Sequence, residues 1–213
     1  MFEVVVLNVA LELKSIEFDA LVRLVTPEKR ERINRFHFKH DAQNCLLGDV
    51  LARIELCNAT GLINRQLEFS VNEYGKPFLL NHPRVHYNIS HSGHYVVCAI
   101  ADEAVGIDIE MIKPPDMKIA ERFFARDEIE YIICGEQMQR FYEVWTKKES
   151  HIKREGKGLS MPLPSFNIFD QSLQVTFHQV FQNDEAVCHV CSGKKEKPSV
   201  RVIDTAALMR MFS

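Results

Sequence analysis

Two short segments of the sequence carry carboxylates and a lysine at spacings that could bring them together. Trp145, Glu149 and Lys153 recur at every fourth position, so a helix would place them along one face. Asp108 and Glu110 alternate with apolar residues, so a strand would project both carboxylates from one side. Three carboxylates and a lysine meeting at one place have the composition of a site that holds a hard divalent cation against a phosphate.

Each segment also has a plainer interpretation. Asp108 and Glu110 could form the solvated side of an amphipathic strand whose apolar residues face the core. Glu149 and Lys153 could form a surface ion pair that contributes only a few tenths of a kcal/mol. Trp145 is the only tryptophan and would pack its helix into the core, so charges beside it would be costly unless something satisfied them. The helix alone therefore leaves both interpretations open.

Other polar residues earlier in the chain could bind an anion. Asn88-Ile-Ser90-His91-Ser92-Gly93 ends a predicted strand, and its hydroxyls, imidazole and backbone N–H groups suit a phosphate, although an ordinary polar turn has the same pattern. Lys29 and Arg32 are three residues apart on a predicted helix and could hold an anion together; the interleaved glutamates also fit a solvated face. Gly75-Lys76-Pro77 is typical of a turn with an exposed lysine.

The composition is that of a soluble globular protein. The chain has 213 residues, of which 46% are hydrophobic and 26% charged. A net charge of −3 and a pI near 6.3 argue against nucleic acid as a partner. The sequence has no apolar run near the roughly 20 residues that a membrane span needs, and its N-terminus lacks the basic start of a signal peptide. We therefore expect a cytoplasmic protein that does not bind membranes.

The cysteine pattern fits the same compartment. Six cysteines are scattered mostly among apolar neighbours, as reduced thiols in a core would be. Cys188-His-Val-Cys191 is formally a C-x-x-C, but a zinc site would need a second pair of ligands, and only His178 and His189 are near in sequence. The surrounding residues alternate as a strand, so we predict a structural role for both thiols.

The order of predicted elements indicates an α+β fold of two similar α/β subdomains in tandem. A first strand precedes a helix that begins at Thr26-Pro27-Glu28 and should reach about Phe38, and a second helix should end before Gly61. Further elements are predicted at residues 85–89, 95–101, 105–111, 119–124, 127–134, 139–154, 173–181 and 186–191. The predicted boundary separates an N-terminal subdomain, 1–104, from a C-terminal subdomain, 105–213. A duplicated architecture would place an active site in the cleft between the halves and would need no dimer, so we predict a monomer.

Taken in order along the chain, these segments resemble the successive signatures of the 4′-phosphopantetheinyl transferases, and most closely the monomeric type that activates peptide synthetases such as surfactin synthetase. The matching segments are Glu28-Lys-Arg, Leu46-Leu-Gly48-Asp49-Val50-Leu51, Gly75-Lys76-Pro77, Asn88-Ile-Ser90-His91-Ser92, Gly106-Ile-Asp108-Ile-Glu110, Trp145-x-x-Lys148-Glu149-Ser150-x-x-Lys153 and Glu155-Gly156-Lys157-Gly158-Leu159-Ser160. The likeness extends from the first strand to about Pro198. It implies the pseudo-twofold fold of that family, with the nucleotide side in residues 1–104 and the metal and catalytic residues in 105–213.

The resemblance also implies an activity. Enzymes of this family transfer the 4′-phosphopantetheine group of coenzyme A to a serine of an apo acyl or peptidyl carrier protein. The products are the holo carrier and adenosine 3′,5′-bisphosphate. The nucleophile belongs to the carrier, so no serine or cysteine of this chain need attack. Service to peptide synthetases would place the protein in nonribosomal peptide and antibiotic biosynthesis.

The family's residue roles transfer to matching positions. The metal ligands would be Asp108, Glu110 and Glu149, holding Mg²⁺, with Mn²⁺ as an alternative ion. Glu149 would also be the general base, with His91 as the alternative base.

The remaining roles concern coenzyme A. The resemblance places Lys153 and His91 at the pyrophosphate, Lys76 and Ser90 along the nucleotide, and Lys29 with Arg32 near the 3′-phosphate. Arg32 stands where close relatives have a lysine, and Asn44-Cys45 departs from the usual polar or basic pair, so the details of 3′-phosphate recognition differ here.

A carrier protein would dock close to the metal. Carriers are typically acidic, so a groove with an apolar floor and basic edges is expected. Ile119, Phe123 and Phe124 could form the floor, with Lys118, Arg122 and Arg126 as the edges, although packing of these phenylalanines in the core is the stronger interpretation.

Two other functions use the same residues. A metal-dependent pyrophosphatase would activate water with the same carboxylates. A binder of carriers or coenzyme A without catalytic activity would be expected if one of the three carboxylates were missing, and all three are present.

Overall fold

The computed structural model describes residues 1–9 and 12–211, with nine strands and seven α-helices in that part of the chain. The strands are β1 (Phe2–Asn8), β2 (Phe69–Val71), β3 (Pro77–Leu79), β4 (His86–Ser92), β5 (Tyr95–Ala101), β6 (Gly106–Met111), β7 (Thr176–Gln182), β8 (Ala186–Ser192) and β9 (Ser199–Asp204). The helices are α1 (Ser15–Val22), α2 (Pro27–Asn34), α3 (Lys39–Thr60), α4 (Met117–Phe123), α5 (Arg126–Ile133), α6 (Gln137–Glu155) and α7 (Thr205–Arg210). No helix in the described part is both long and apolar enough to cross a membrane.

The first lobe is a four-stranded sheet covered on one face by α3. The strand order is β4-β5-β1-β9, in which β5 is antiparallel to both neighbours and β9 is parallel to β1. The valine-rich β1 suits a central strand because β-branched side chains pack well on a pleated surface. Leu47 and Leu51 of α3 are fully buried in the same cluster as Val5 and Leu7 of β1. α3 ends at Gly61, whose φ of 73° is the left-handed cap conformation that glycine favours.

The second lobe repeats the pattern with a three-stranded antiparallel sheet, ordered β6-β8-β7. The apolar face of β6 packs against the first sheet, and Ile107 and Ile109 are buried in one cluster with Val4, Val6 and Val97. Helix α6 lies against β6 and β8. The predicted α+β fold with two lobes in tandem is confirmed.

The last two elements of the chain return to the first lobe. The last two elements predicted from the sequence are strands at 173–181 and 186–191, and residues 105–213 are predicted to form the second subdomain. Instead, β9 pairs in parallel with β1, and Leu208 of α7 is buried in the first core. Residues 199–210 therefore lie with the first sheet, and Phe212 and Ser213 lie outside the described residues. No side chain of β9 is fully buried, so this short strand has no buried apolar face for the sequence to indicate.

Two further boundaries need correction. Helix α2 ends at Asn34 rather than near Phe38, because Phe38 is extended and forms the N-terminal cap of α3. The strand predicted at 85–89 extends to Ser92, so Ser90 to Ser92 lie in β4 rather than in a turn, and the chain turns at Gly93, whose φ is 54°. Helix α1 was not predicted. The thiols Cys188 and Cys191 lie in β8, buried and free, in agreement with the prediction that their segment is a strand.

Candidate active site

The site is built around β6, where the two sheets meet. Asp108 and Glu110 project from the face opposite Ile107 and Ile109, as the alternation predicted. Gly106 allows α6 to lie directly on this strand, because a Cβ atom here would collide with the backbone at Ser150 O and Arg154 N. A close approach of helix and strand backbones places the side chains of α6 over the two carboxylates.

Polar side chains of β4 join the two sheets and orient those carboxylates. Asn88 Oδ1 accepts a hydrogen bond of 2.9 Å from the backbone N–H of Ile107. Ser90 Oγ donates to Asp108 Oδ1 at 2.9 Å, and Ser92 Oγ donates to Glu110 Oε2 at 2.8 Å. Alternate residues of β4 thus face β6, which explains why polar groups occur at every second position there.

Lys153 completes the cluster from α6. Its Nζ donates to Asp108 Oδ1 at 2.6 Å and to Ser90 Oγ at 2.8 Å. Asp108 is 3% exposed, and its other oxygen, Oδ2, is buried with no hydrogen-bond partner among the described residues. A buried carboxylate oxygen without a partner costs free energy, so this oxygen is a candidate ligand for a cation or a donor.

A cavity of about 400 Å³ opens over this cluster, between β4 of the first lobe and β6 and α6 of the second. Its lining residues are Ile89, Ser90, His91, Asp108, Glu110, Trp145, Glu149 and Lys153. The structure therefore brings the three predicted carboxylates, His91, Ser90 and Lys153 to one cavity. Trp145 stacks on Phe141 of the same helix with ring centroids 6.2 Å apart, and both rings contact Phe124, which packs α6 into the core of its lobe.

A second cavity, of about 540 Å³, adjoins the first at Glu149 and Lys153. It is bordered by the turn around Gly75 and by residues that follow α6, and much of its lining is apolar. The lining residues are Tyr74, Gly75, Lys76, Pro77, Asn88, Phe123, Glu149, Ile152, Lys153, Gly156, Gly158, Met161, Pro162, Leu163 and Pro164. The two cavities together form a cleft large enough for a ligand of many atoms.

The electrostatics of the site favour a bound cation. Burial raises the pKa of all three carboxyl groups, and Asp108 raises the pKa of Glu110 and of Glu149 further. Lys153 acts in the opposite direction on each of them. Burial, and then Lys153, lower the pKa of His91, so its imidazole is neutral at pH 7. Excess negative charge at this place would be relieved by a positive ion.

The three carboxylates do not form a ready coordination shell. Within the described ranges, no three His, Cys, Asp or Glu side chains are close enough to hold a metal ion. Asp108 Oδ1 already accepts a hydrogen bond from the Lys153 ammonium, and Glu110 Oε2 accepts one from Ser92 Oγ. The donor set nevertheless fits Mg²⁺ chemically, because it consists of carboxylate oxygens and includes the partnerless Asp108 Oδ2.

The residues predicted near the 3′-phosphate lie on α2 and beside it. Lys29 Nζ is 3.4 Å from Asp49 Oδ1, and its charge still reaches His91, where it helps to lower the pKa. Arg32 is exposed.

His40 was not predicted as a site residue, but its charge also lowers the pKa of His91. His40 Nε2 lies 3.0 Å from Asn44 Nδ2. Asn44 is buried and donates to Gly93 O at 2.8 Å, which ties α3 to the turn after β4.

Lys76 does not direct its ammonium into the carboxylate cluster. Its Nζ donates to two backbone carbonyls, Val105 O at 3.1 Å and Arg154 O at 3.0 Å. Burial, and then the nearby Arg154, lower its pKa to about 8. Lys76 and its neighbours in the turn also line the second cavity. Nucleotide contact by Lys76 stays a prediction of the resemblance.

Sequence reasoning missed a fully buried ion pair next to the site. Lys148 Nζ lies 2.9 Å from the Glu128 carboxylate and donates to Phe166 O at 2.7 Å, with both side chains 0% exposed. Glu128 also accepts from the backbone N–H groups of Ala125 and Ile168. The sequence feature that could have indicated this pair is Lys148 itself, which directly precedes Glu149 on the helix that Trp145 packs into the core. The pair joins α5, α6 and the segment at 166–168.

The residues suggested for a docking groove divide between core and surface. Phe124 is 7% exposed and packs in the core with Phe141 and Trp145, so the core interpretation is correct for it. Phe123 lines the second cavity. Ile119 is half-buried, whereas the cations Lys118, Arg122 and Arg126 are exposed.

Carboxylates and a lysine that meet in a cleft between two lobes are groups that can hold a cation against a phosphate. Two family models match the chain: the N-terminal model of 4′-phosphopantetheinyl transferase over residues 13–103, and the 4′-phosphopantetheinyl transferase superfamily over residues 104–206. The chain belongs to this superfamily and is an enzyme of the phosphopantetheinyl transferase type.

Curated relatives carry the same description. The chain is 46% identical over 155 residues to the 4′-phosphopantetheinyl transferase ffp of Bacillus subtilis, covering 71% of this chain and 69% of the relative. It is 45% identical, with the same coverage, to the 4′-phosphopantetheinyl transferase Sfp of Bacillus subtilis (strain 168). It is 39% identical over 182 residues to the 4′-phosphopantetheinyl transferase gsp of Aneurinibacillus migulanus, covering 84% of this chain and 76% of the relative.

Proposed function

We propose that this enzyme transfers the 4′-phosphopantetheine group of coenzyme A to a serine of an apo acyl or peptidyl carrier protein. The serine oxygen attacks the phosphorus bonded to pantetheine, and the bond from that phosphorus to the bridging oxygen breaks. Adenosine 3′,5′-bisphosphate leaves, and the serine proton passes to a base. The observation that carries the proposal is the convergence of Asp108, Glu110, Glu149 and Lys153 on one cleft between the lobes.

Charge stabilisation is the main requirement of this reaction. The attacked pyrophosphate is anionic, and the leaving bisphosphate gains charge as the bond breaks. Asp108, Glu110 and Glu149 would hold Mg²⁺ or Mn²⁺, which when bound neutralises pyrophosphate charge. Lys153 would add a second positive charge, exchanging its contact with Asp108 for one with a phosphate oxygen.

Two groups could accept the serine proton. Glu149 lines both cavities, and its raised pKa makes it a stronger base than an ordinary glutamate. His91 lines the first cavity and is neutral at pH 7, so its imidazole is available as the alternative. We propose Glu149 as the base, acting directly or through a water, and His91 as a pyrophosphate contact.

The nucleotide would occupy the first-lobe side of the cleft. Lys29, Arg32 and His91 supply positive or hydrogen-bonding groups there, and the charge of Lys29 is felt at His91. Ser90 would contact the nucleotide in addition to orienting Asp108. Coenzyme A would thus be held between α2 and the carboxylate cluster.

The protein substrate would be a carrier of the peptide-synthetase type, in nonribosomal peptide and antibiotic biosynthesis. The exposed cations Lys118, Arg122 and Arg126 suit the acidic helices of such carriers. Both lobes of the cleft come from one chain, so we expect a monomer, acting in the cytoplasm.

Intact-mass spectrometry tests the reaction. Apo peptidyl, polyketide and fatty-acid carriers are incubated separately with the enzyme, coenzyme A and Mg²⁺. We expect a gain of one phosphopantetheine on at least one carrier, with an equal amount of adenosine 3′,5′-bisphosphate released. Rapid release of the bisphosphate without any carrier, and no gain of mass on any carrier, would contradict the proposal and support a pyrophosphatase.

A further inference from the structure

A turn of the first lobe forms hydrogen bonds to the C-terminal end of α6 in the second lobe. Besides the two bonds from Lys76 Nζ to Val105 O and Arg154 O, Asn72 Nδ2 donates to Gly156 O at 2.9 Å. Asn72 Oδ1 in turn accepts from the backbone N–H groups of Tyr74 and Lys76, which closes the turn on itself. The segment Asn72–Lys76, called here the clamp turn, therefore makes three hydrogen bonds across to the second lobe.

The end of α6 is shaped to receive the clamp turn. Gly156 caps the helix with a φ of 70°, and a Cβ atom there would lie 2.7 Å from Lys76 Cδ and 3.2 Å from Asn72 Nδ2. Glycine thus serves both the left-handed cap and the close approach of the turn. The carbonyls at a helix C-terminus carry partial negative charge, so an ammonium at Arg154 O is favourable.

We propose that Lys76 is a positioning residue that holds the last turn of α6, and with it Lys153 and Glu149, against β6. Val105 O precedes β6 and Arg154 O follows Lys153, so one ammonium joins the start of the strand that carries Asp108 to the end of the helix that carries Lys153. This inference rests on the proposed function, because the reaction measured is phosphopantetheine transfer. It assigns Lys76 a role other than nucleotide contact.

The surroundings of the ammonium agree with an internal contact. Two of its three N–H donors are committed to carbonyls. Burial lowers the pKa of Lys76 to about 8, as expected for a lysine withdrawn from solvent and bonded to neutral acceptors.

The test compares Lys76→Met, Asn72→Ala and Lys76→Arg with the wild type, using Lys195→Met, the same change at an exposed lysine, as the control. Transfer kinetics to a carrier give kcat and KM for coenzyme A. Titration calorimetry with adenosine 3′,5′-bisphosphate gives the nucleotide Kd without any chemistry. Hydrogen exchange at amides 150–156 reports the anchoring of α6, whether or not the enzyme transfers anything.

We expect Lys76→Met to lower kcat by about 10- to 100-fold, the effect of a small displacement of catalytic groups, with the nucleotide Kd within about two-fold of wild type. Exchange at 150–156 should become faster. Asn72→Ala should show the same signature more weakly although it leaves the lysine in place, and Lys76→Arg should recover part of kcat. Lys195→Met should match the wild type.

The positioning role would be contradicted if Lys76→Met raised the nucleotide Kd about ten-fold or more and left kcat and hydrogen exchange unchanged, while Asn72→Ala kept wild-type activity. That pattern is expected of a residue that contacts the nucleotide. If Lys76→Met does not fold, Asn72→Ala and Lys76→Arg decide by the same readouts. A wild type that transfers nothing would refute the proposed function, whereas unaltered exchange in both Lys76→Met and Asn72→Ala would refute the clamp alone.

Discussion

Replacing Lys148 by methionine should be among the most destabilising single changes outside the apolar core. Lys148 and Glu128 are 0% exposed, and the substitution would leave the Glu128 carboxylate buried with only two backbone N–H donors. Removing one partner of a buried ion pair costs about 3–5 kcal/mol, because the remaining charge is uncompensated. The Phe166 carbonyl would also lose its donor.

The free energy of unfolding is measured by urea denaturation at pH 7 for Lys148→Met, Glu128→Gln and the double variant. Because the double variant has no unpaired charge, the coupling energy from the cycle should be at least about 2 kcal/mol. Arg35→Met is the matched control: it breaks the exposed ion pair between Arg35 and Glu31 and should cost less than about 1 kcal/mol. A loss of less than about 1 kcal/mol in Lys148→Met would refute the uncompensated-charge argument.

Two further changes follow from the structure. Gly106→Ala should destabilise the protein by about 1–3 kcal/mol or more and lower transfer activity, because the Cβ atom of the alanine would collide with the backbone of α6. A variant with the unfolding free energy and kcat of the wild type would contradict the close approach of α6 to β6. His189 is buried, and burial lowers its pKa to about 3. Between about pH 6.5 and pH 3 its imidazole is therefore protonated in the unfolded state and neutral in the folded state. Because the unfolded state binds the additional proton, the free energy of unfolding rises with pH across that window. His189→Gln, which can keep a hydrogen bond to Thr146, should reduce this slope by up to about 1.4 kcal/mol per pH unit in urea unfolding between pH 6 and 4; an unchanged slope would show that His189 does not titrate as described.

Sequence reasoning predicted those parts of the site that depend on local periodicity. The alternation around Asp108 and the four-residue spacing of Trp145, Glu149 and Lys153 both gave the correct element and the correct face. The polar residues of β4 were predicted to suit a phosphate, but Ser90 and Ser92 were expected at a turn beyond a strand that ends at Ile89. Their polarity comes from facing the edge of β6, and that contact between strands of different lobes has no local signature.

The parts that could not be predicted depend on contacts distant in sequence. The pairing of β9 with β1 joins residues nearly 200 positions apart, and the bond from Lys76 to Arg154 O spans 78. Lys76 lies in a turn, where a lysine is usually exposed to solvent, and its burial depends on the packing of α6 against that turn. The pairing of Lys148 with Glu128 likewise depends on how α5 packs on α6.

Transfer by Glu149→Gln is the most direct measurement of whether the acid on α6 acts with the acids on β6. The variant is assayed by intact mass of an apo carrier at saturating coenzyme A and Mg²⁺, together with its thermal unfolding. We expect transfer to fall by at least about 100-fold, because the variant lacks the carboxylate that is proposed to hold the metal ion and to accept the serine proton. The unfolding midpoint should be unchanged or higher, because burial and Asp108 raise the Glu149 pKa and its charge therefore destabilises the folded state at pH 7. A folded Glu149→Gln enzyme that loads the carrier at a rate within about two-fold of wild type would contradict the catalytic role of this carboxylate.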